Sequence, residues 1–400
     1  MKIAIIVRSL KYGGMERAAC NQADSFYQSG YNVDLIYFSN KDRVLSPKEN
    51  GVKVIHIDLH KLMKQTIFGK IWNILAKLSN MLIRRTYPLV KGFHTSDIFK
   101  QEFNKLEKVE KYDLILIRGQ GTYEQIWTFK DARSVRICVN VSKKTYSTFI
   151  DKLMSKCYYE NVRVNCNSNG SKDFYIEKFK RENIVPISLN AIKNPFFKER
   201  VIKLSEEINN DIPNEPYIIG VGRLVKTKNF ELLIDSYYKL IKDYGVKHKL
   251  VIVGDGDDKI FLENKCKVLG ISNNVLFTGY QSNPFTWIKN SDIIVFTSKI
   301  EGLSNVLIEA MCCKTRILIT KSPGGMIEMM IGKLQDNIAD NNPDDIANKI
   351  KLILSKDKSF YYEDYESALM AFDPKSVVNQ WLNMYVINQP NKEIYDNQTR

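Results

Sequence analysis

Short β-rich apolar runs recur along the chain at residues 3–7, 33–38, 113–117, 135–141, 162–165 and 184–189, and again at 217–221, 249–253, 275–278, 293–297 and 316–319. Most are continuous rather than alternating, as in strands buried on both faces of a parallel sheet. The first run is followed by Gly13 and Gly14, a helical stretch through Tyr27, a Gly30 turn and then the second run. Strand, helix and strand within about 40 residues make a βαβ unit. In the second series helical periodicity fills 230–244, 258–269 and 306–313, and a last helix, with Trp381, is predicted over 375–386.

Asn194-Pro195 and a polar stretch at 198–215, which reads as a linker, separate the two series. The pattern predicts an α/β chain of two doubly wound, Rossmann-like parallel-sheet domains facing a cleft. The first domain is expected over 1–199, with 376–388 packing back on it, and the second over 200–375. Residues 389–400 are expected to form a polar tail. Ligands belong outside the carboxyl ends of the strands.

Candidate chemistry lies at those ends. Glu301 and Glu309 bracket a helix start for which Ser304 or Asn305 is the N-cap, and amides at Asn305, Val306 and Leu307 would face a phosphate there. Gly222 and Arg223, with Lys226 and Lys228 just beyond, follow the strand at 217–221 and suit a diphosphate clamp. Gly220 and Gly222 lack the third glycine of a dinucleotide fingerprint, which weakens a dehydrogenase reading. Asp255-Gly-Asp257 is explained by turn chemistry as well as by a metal. In the first half, the loop Gly13-Gly14-Met15-Glu16-Arg17 and the loop Arg118-Gly119-Gln120-Gly121 both close strands on the expected ligand side.

Charge adds a partner. The 400 residues carry a net +14, with 44% apolar and 26% charged side chains, a globular composition with a basic excess. Residues 1–200 hold 35 basic and 19 acidic side chains, net +16, and the remainder is net −2, so an anionic partner is expected on the first half. Residues 59–96 contain seven basic side chains and no acidic one. On a helix, Ile67, Ile71, Leu75, Leu78 and Leu82 share one face, and Lys70, Lys77 and Arg84 line it at two-turn spacing. With Trp72 and Arg85 these residues describe either an interfacial helix on an anionic membrane or an amphipathic helix packed on its own domain. Nucleic acid is the competing anionic partner.

Seven cysteines without a Cys-x-x-Cys pair point to a reduced chain, and the four histidines, His56 and His60 included, form no zinc pattern. Arg8 cuts short the first apolar run, and no stretch of about 18 apolar residues exists, so a cytoplasmic protein or one held on a membrane surface is expected.

Taken in order, Gly13-Gly14-x-Glu16-Arg17, Asn194-Pro195, Val221-Gly-Arg-Leu224 with Lys228, Gly254-Asp-Gly256, Gly279, and Glu301 with Glu309 in a Glu-x7-Glu arrangement make the chain resemble the retaining GT-B glycosyltransferases of family 4 that extend lipid-linked bacterial surface sugars. The resemblance implies that Arg223 and Lys228 hold the diphosphate of a nucleotide sugar, expected to be UDP-linked. Glu309 would take the ribose hydroxyls and Glu301 the donor sugar, while Gly13, Gly14, Gly222, Ser304, Asn305 and Val306 approach the donor. No divalent metal is expected. The acceptor would be a polyprenyl-diphosphate-linked glycan, used at the cytoplasmic face of the inner membrane, with Arg118 and Gln120 on the acceptor or sugar side. Two departures stand out: Arg118-Gly-Gln-Gly121 replaces a loop histidine, and Lys314 and Arg316 replace the family's Gly and Pro after the second glutamate's helix. Gly324-Gly325 with Glu328 retains the next family loop.

Overall fold

The computed structural model describes residues 1–11, 13–39, 43–138 and 148–387, and its strands form two sheets in which every pairing is parallel. The chain divides into two compact units. One is Met1–Phe196 together with the chain from Phe372 onward, and the other is Phe197–Ala371.

In the first unit, strands β1 (Lys2–Val7), β2 (Asn32–Tyr37), β3 (Lys53–His56), β4 (Leu114–Arg118), β5 (Ser134–Cys138), β6 (Arg163–Cys166) and β7 (Ser188–Ala191) lie in the order β3-β2-β1-β4-β5-β6-β7. Helices α1 (Gly14–Gln28), α2 (Leu59–Gln65), α3 (Ile67–Leu82), α4 (Tyr87–Glu107), α5 (Gln120–Tyr123), α6 (Phe149–Tyr159) and α7 (Asn169–Glu182) connect them. β1 shows why its run is continuous: Ile3, Ile5 and Val7 pack with Ala19, Ala23 and Phe26 of α1, while Ala4 and Ile6 enter the opposite layer with Phe99 and Phe103 of α4. Each such large side chain contributes about 1.5–3 kcal/mol by leaving water.

The second unit repeats the plan. Strands β8 (Tyr217–Val221), β9 (Lys249–Val253), β10 (Val275–Gly279), β11 (Ile293–Phe296), β12 (Arg316–Thr320) and β13 (Ile338–Ala339) take the order β10-β9-β8-β11-β12-β13. Its helices are α8 (Lys198–Ser205), α9 (Phe230–Tyr244), α10 (Lys259–Val268), α11 (Phe285–Asn290), α12 (Asn305–Cys312), α13 (Pro343–Leu354) and α14 (Tyr362–Leu369). The chain then returns to the first unit, where α15 (Pro374–Leu382) and a π turn at Asn383–Ile387 bury Val377, Val378, Trp381 and Tyr385 in the layer beside α1.

Two expectations need correction. The stretch at 198–215 is not all linker, because 198–205 is α8, whose Val201 is buried, and the unit boundary falls after Phe196. The run at 184–189 straddles two elements. Asn183 ends α7 in a left-handed conformation (φ 52°), and the Ile184 amide donates to the Phe179 carbonyl at 2.9 Å, so Ile184 closes the helix and β7 begins at Ser188. Of the strand expected at 135–141, residues 139–141 lie outside the described residues, as does the expected tail at 389–400. None of the seven cysteines is in a disulfide. Among the described residues no helix is long and apolar enough to cross a membrane.

Candidate functional site

The loop after β8 is held by backbone. Gly222 N donates to Val253 O (3.0 Å), Leu224 N to Asp255 O (2.9 Å), and Asp258 N to Leu224 O (2.9 Å). Gly254 and Gly256 are needed for this close approach: a Cβ on Gly254 would lie 1.9 Å from the Gly222 carbonyl oxygen, and one on Gly256 2.4 Å from that of Leu224. The Gly-Asp-Gly turn therefore supports the loop that carries Arg223; Asp255 and Asp257 are exposed, and Asp255 Oδ1 accepts from the Gly256 N–H at 2.8 Å. Arg223 is exposed and has no carboxylate partner among the described residues, whereas Lys226 is drawn to Asp258 (3.4 Å) and the Phe261 ring (4.0 Å).

Lys228 comes to Glu301 from the same loop. Its ammonium pairs with Glu301 Oε2, both side chains being about one-fifth exposed, and Ser298 Oγ donates to that oxygen at 3.4 Å. Two backbone links fix the spacing: Thr297 Oγ1 donates to the Lys228 and Asn229 carbonyls (3.2 and 3.0 Å), and Lys299 N to the Thr227 carbonyl (2.9 Å). Glu301 in turn bridges to Gly324, with its N–H on the Pro323 carbonyl at 3.1 Å. Gly324 has φ 122°, and a Cβ there would lie 1.6 Å from the Glu301 carbonyl oxygen. Gly324→Ala is expected to destabilise the protein by more than about 1 kcal/mol, read by urea unfolding, and to displace Glu301.

Beyond Glu301, Ser304 opens α12 as the N-cap, in extended backbone (φ −83°, ψ 117°) and without a side-chain cap bond. The expectation of three open amides is corrected at Leu307, whose N–H donates to the Ser304 carbonyl at 3.2 Å as the helix tightens its first turn. Asn305 and Val306 are half-buried at the helix start. Glu309 is 2% exposed, which excludes a solvated surface role, since a carboxylate stays buried only where polar groups meet it. Lys314, standing where the resemblance has glycine, adopts φ 56° and lays its ammonium over the Tyr362 ring at 4.8 Å.

In the first unit the structure places the candidates differently. Gly13 caps α1, but the Glu16 carboxylate folds onto it: a Cβ on Gly13 would lie 2.4 Å from Glu16 Oε2, and Ser9 Oγ donates to Oε1 at 3.1 Å. The anion at this helix end is thus the chain's own glutamate. Arg118 is not on an open acceptor side. It is fully buried, donating from Nη1 to Gln22 Oε1 (2.5 Å) and from Nη2 to Asn194 Oδ1 (2.7 Å), and burial without a carboxylate partner pulls its guanidinium down to about 10. It braces α1 and the Asn194-Pro195 segment, a role its position in an apolar strand did not announce. Gln120 is exposed and donates to Glu124 at 2.8 Å.

Helix α3 answers the packing question for the basic stretch. Its buried residues are Gly69 and Ala76, and the inward side is completed by Trp72, Asn73, Ser79 and Asn80. Trp72 is therefore not on the outer face: its indole donates to the Val90 carbonyl (2.6 Å) and stacks on Phe93. Arg85 is also engaged, paired with Asp151 at 2.7 Å. The apolar face points outward, with Ile67 78%, Met81 82% and Leu82 86% exposed and Ile71, Leu75 and Leu78 near half. Lys70, Lys77 and Arg84 are exposed beside it.

Residues 202–366 match the family model described as glycosyl transferases group 1. Among curated proteins the chain is similar to the N-acetylgalactosamine-N,N'-diacetylbacillosaminyl-diphospho-undecaprenol 4-alpha-N-acetylgalactosaminyltransferase of Campylobacter jejuni, 28% identical over 60% of this chain and 64% of that protein. It is also similar to the poly(ribitol-phosphate) alpha-N-acetylglucosaminyltransferase of Staphylococcus aureus, 28% identical over 77% of this chain and 62% of that one. The chain thus spans less than two thirds of the length of these relatives. Among solved structures, Anabaena Alr3699/HepE in complex with UDP aligns with a TM-score of 0.64 at 17% identity, covering 96% of this chain and 99% of that one. Sucrose-phosphate synthase from Thermosynechococcus elongatus aligns with a TM-score of 0.68 at 17% identity over 96% and 98%. The chain has the two-sheet GT-B fold, and its residues 202–366 are similar to the glycosyl transferases group 1 family.

Proposed function

We propose that the chain is a retaining hexosyl- or N-acetylhexosaminyltransferase of family 4 that moves a sugar from a UDP-linked donor to a polyprenyl-diphosphate-linked glycan. It works without a divalent metal on the anionic cytoplasmic face of the inner membrane, in the synthesis of a surface polysaccharide or oligosaccharide. The observation that carries this reading is the Lys228–Glu301 pair between the loops that follow β8 and β11, with Arg223 exposed on the first of those loops, within the residues that match the family model. The diphospho-undecaprenol glycan named as the substrate of the C. jejuni relative and the UDP in the Anabaena structure support acceptor and donor class.

In this reading the residues divide the work. Arg223, with a planar fork and no carboxylate partner among the described residues, and Lys228 hold the donor diphosphate and take up the charge it gains as the glycosidic bond breaks. Fixed cations do this without rearranging at the moment of reaction, which is the part a metal plays elsewhere. Glu301, already in contact with Lys228, lies where the same cation orients it toward the sugar hydroxyls. Glu309 takes the ribose hydroxyls, and Ser304, Asn305, Val306 and Gly222 provide close backbone approach to the phosphates. A nucleic-acid-binding reading leaves the Lys228–Glu301 pair without a role, and so does a dehydrogenase.

The test is a thermal-shift panel of nucleotide sugars. A true donor at about 100 times its Kd stabilises the fold by about 2.7 kcal/mol. UDP-hexoses or UDP-N-acetylhexosamines are expected to raise the midpoint, and Glu309→Ala is expected to abolish that rise. A panel in which no nucleotide sugar shifts the wild-type midpoint refutes the reading.

A further inference from the structure

A group of cations in the first unit gathers from four elements and outnumbers the acids near it, Asp58 beside α2 and Glu124, whose carboxylate feels the charge of Arg8. Arg8 follows β1, His60 and Lys64 lie on α2, Lys77 on α3 and Lys91 on α4. Lys91 Nζ comes within 3.5 Å of His60 Nδ1 and rests over the Tyr87 ring at 5.6 Å. Beside them a cavity of about 340 Å³ is lined by Asp58, His60, Lys61, Lys64 and Gln65. Asp58 is the one carboxylate there, and it caps α2 by accepting from the Lys61 N–H at 2.9 Å. Among the described residues none of Arg8, Lys61, Lys64 and Lys91 has a carboxylate within ion-pair distance.

This arrangement costs stability as it stands. Lys91 is held below the usual lysine range by burial and by the fields of Arg8 and Lys64. His60 is held below the usual histidine range by burial and by Lys91, Lys64 and Lys77, with Asp58 opposing. Like charges driven together at a half-buried position return nothing to the fold unless an anion completes them. The donor diphosphate already has its own cations, Arg223 and Lys228, in the other unit.

We propose that Arg8, His60, Lys64 and Lys91 form a binding site for a diphosphate, the anionic group of the lipid-linked acceptor, an assignment of ligand that rests on the transferase reading above. Three ammonium or guanidinium groups and a protonatable imidazole, brought from the end of β1, from α2 and from α4, suit the multiple oxygens of a diphosphate better than a single carboxylate. Lys77 joins this field from α3, the helix whose apolar face is exposed, so the same layer of the unit offers contact to both the head and the stem of a membrane-held isoprenoid diphosphate.

The full chain is titrated with inorganic pyrophosphate while the His60 ring is followed by NMR. Bound pyrophosphate favours the imidazolium, so the His60 pKa is expected to rise. Asp58, Lys64, Lys77 and Lys91 are the charged groups that face it. Lys64→Gln with Lys91→Gln is expected to weaken pyrophosphate binding roughly 10- to 100-fold, to leave UDP binding unchanged, and not to lower the thermal midpoint, because it removes repulsion. Vesicles carrying a polyprenyl diphosphate are expected to move the His60 resonance, and phosphatidylglycerol vesicles without it are not. A His60 titration that saturating pyrophosphate leaves in place overturns the proposal even if nucleotide sugars bind. An equal response to phosphatidylglycerol alone overturns it as well, assigning the cluster to headgroups. Pyrophosphate binding at His60 in a protein that binds no nucleotide sugar keeps the anion site and overturns the transferase reading and the acceptor assignment with it.

Discussion

Arg223→Ala is expected to lower kcat for sugar transfer by about 100- to 1,000-fold, the loss typical when one fixed group that stabilises developing charge is removed. The side chain is exposed on a loop whose backbone is pinned to the Gly254–Gly256 turn, so truncation leaves the frame intact and the unfolding midpoint near wild type. Arg223→Lys keeps the charge but loses the two-pronged fork, and is expected to recover part of the rate. Lys228→Ala removes a second cation and also strips Glu301 of its ion-pair partner in a site about one-fifth exposed. The two losses act on one diphosphate, so the double variant is expected to be less damaged than the product of the single effects. Steady-state kinetics on the four proteins measures this. Transfer by Arg223→Ala at the wild-type rate would remove Arg223 from the site and break the proposed mechanism.

The second unit was legible in the sequence because β8, β9, β11 and β12 are buried almost throughout and its loops carry fixed chemistry. The runs at 217–221 and 249–253 coincide with β8 and β9, and Gly254 and Gly256 occur where backbone meets backbone. The pairing of Glu301 with Gly324 was not legible, since it depends on how two loops after neighbouring strands meet. Nor was the place of Arg118. An arginine closing an apolar strand reads as a ligand group, yet Gln22 and Asn194, 96 residues behind it and 76 ahead, turn it into a buried brace. β3 escaped notice for a different reason: its ends are exposed and its middle is only half-buried, and Lys-Val-Ile-His is too short to stand out from a loop.

Helix α3 shows the limit of periodicity, and it carries the second large prediction. An amphipathic pattern says that one face leaves water, not what covers it. Here the fold is met by the small and polar side, where Gly69 lets α3 approach so closely that a Cβ would lie 1.9 Å from the Met63 carbonyl oxygen, and where Tyr87 donates to Asn73 at 3.3 Å. The apolar side is left outside, a contiguous patch of the kind that soluble surfaces rarely keep without a partner. Lys70, Lys77 and Arg84 border it, and each cation near an anionic surface contributes about 1 kcal/mol. Neutralising all three to Gln is therefore expected to weaken partition onto phosphatidylglycerol vesicles by roughly 100-fold. Added salt is expected to weaken the wild type and to affect the triple variant far less. Met81→Asp with Leu82→Asp is expected to weaken partition even where the cations remain, because the stem of the contact is apolar. Co-sedimentation across a salt series measures both. Equal binding of wild type and triple variant would take the membrane away from this face and leave its apolar residues to a protein partner.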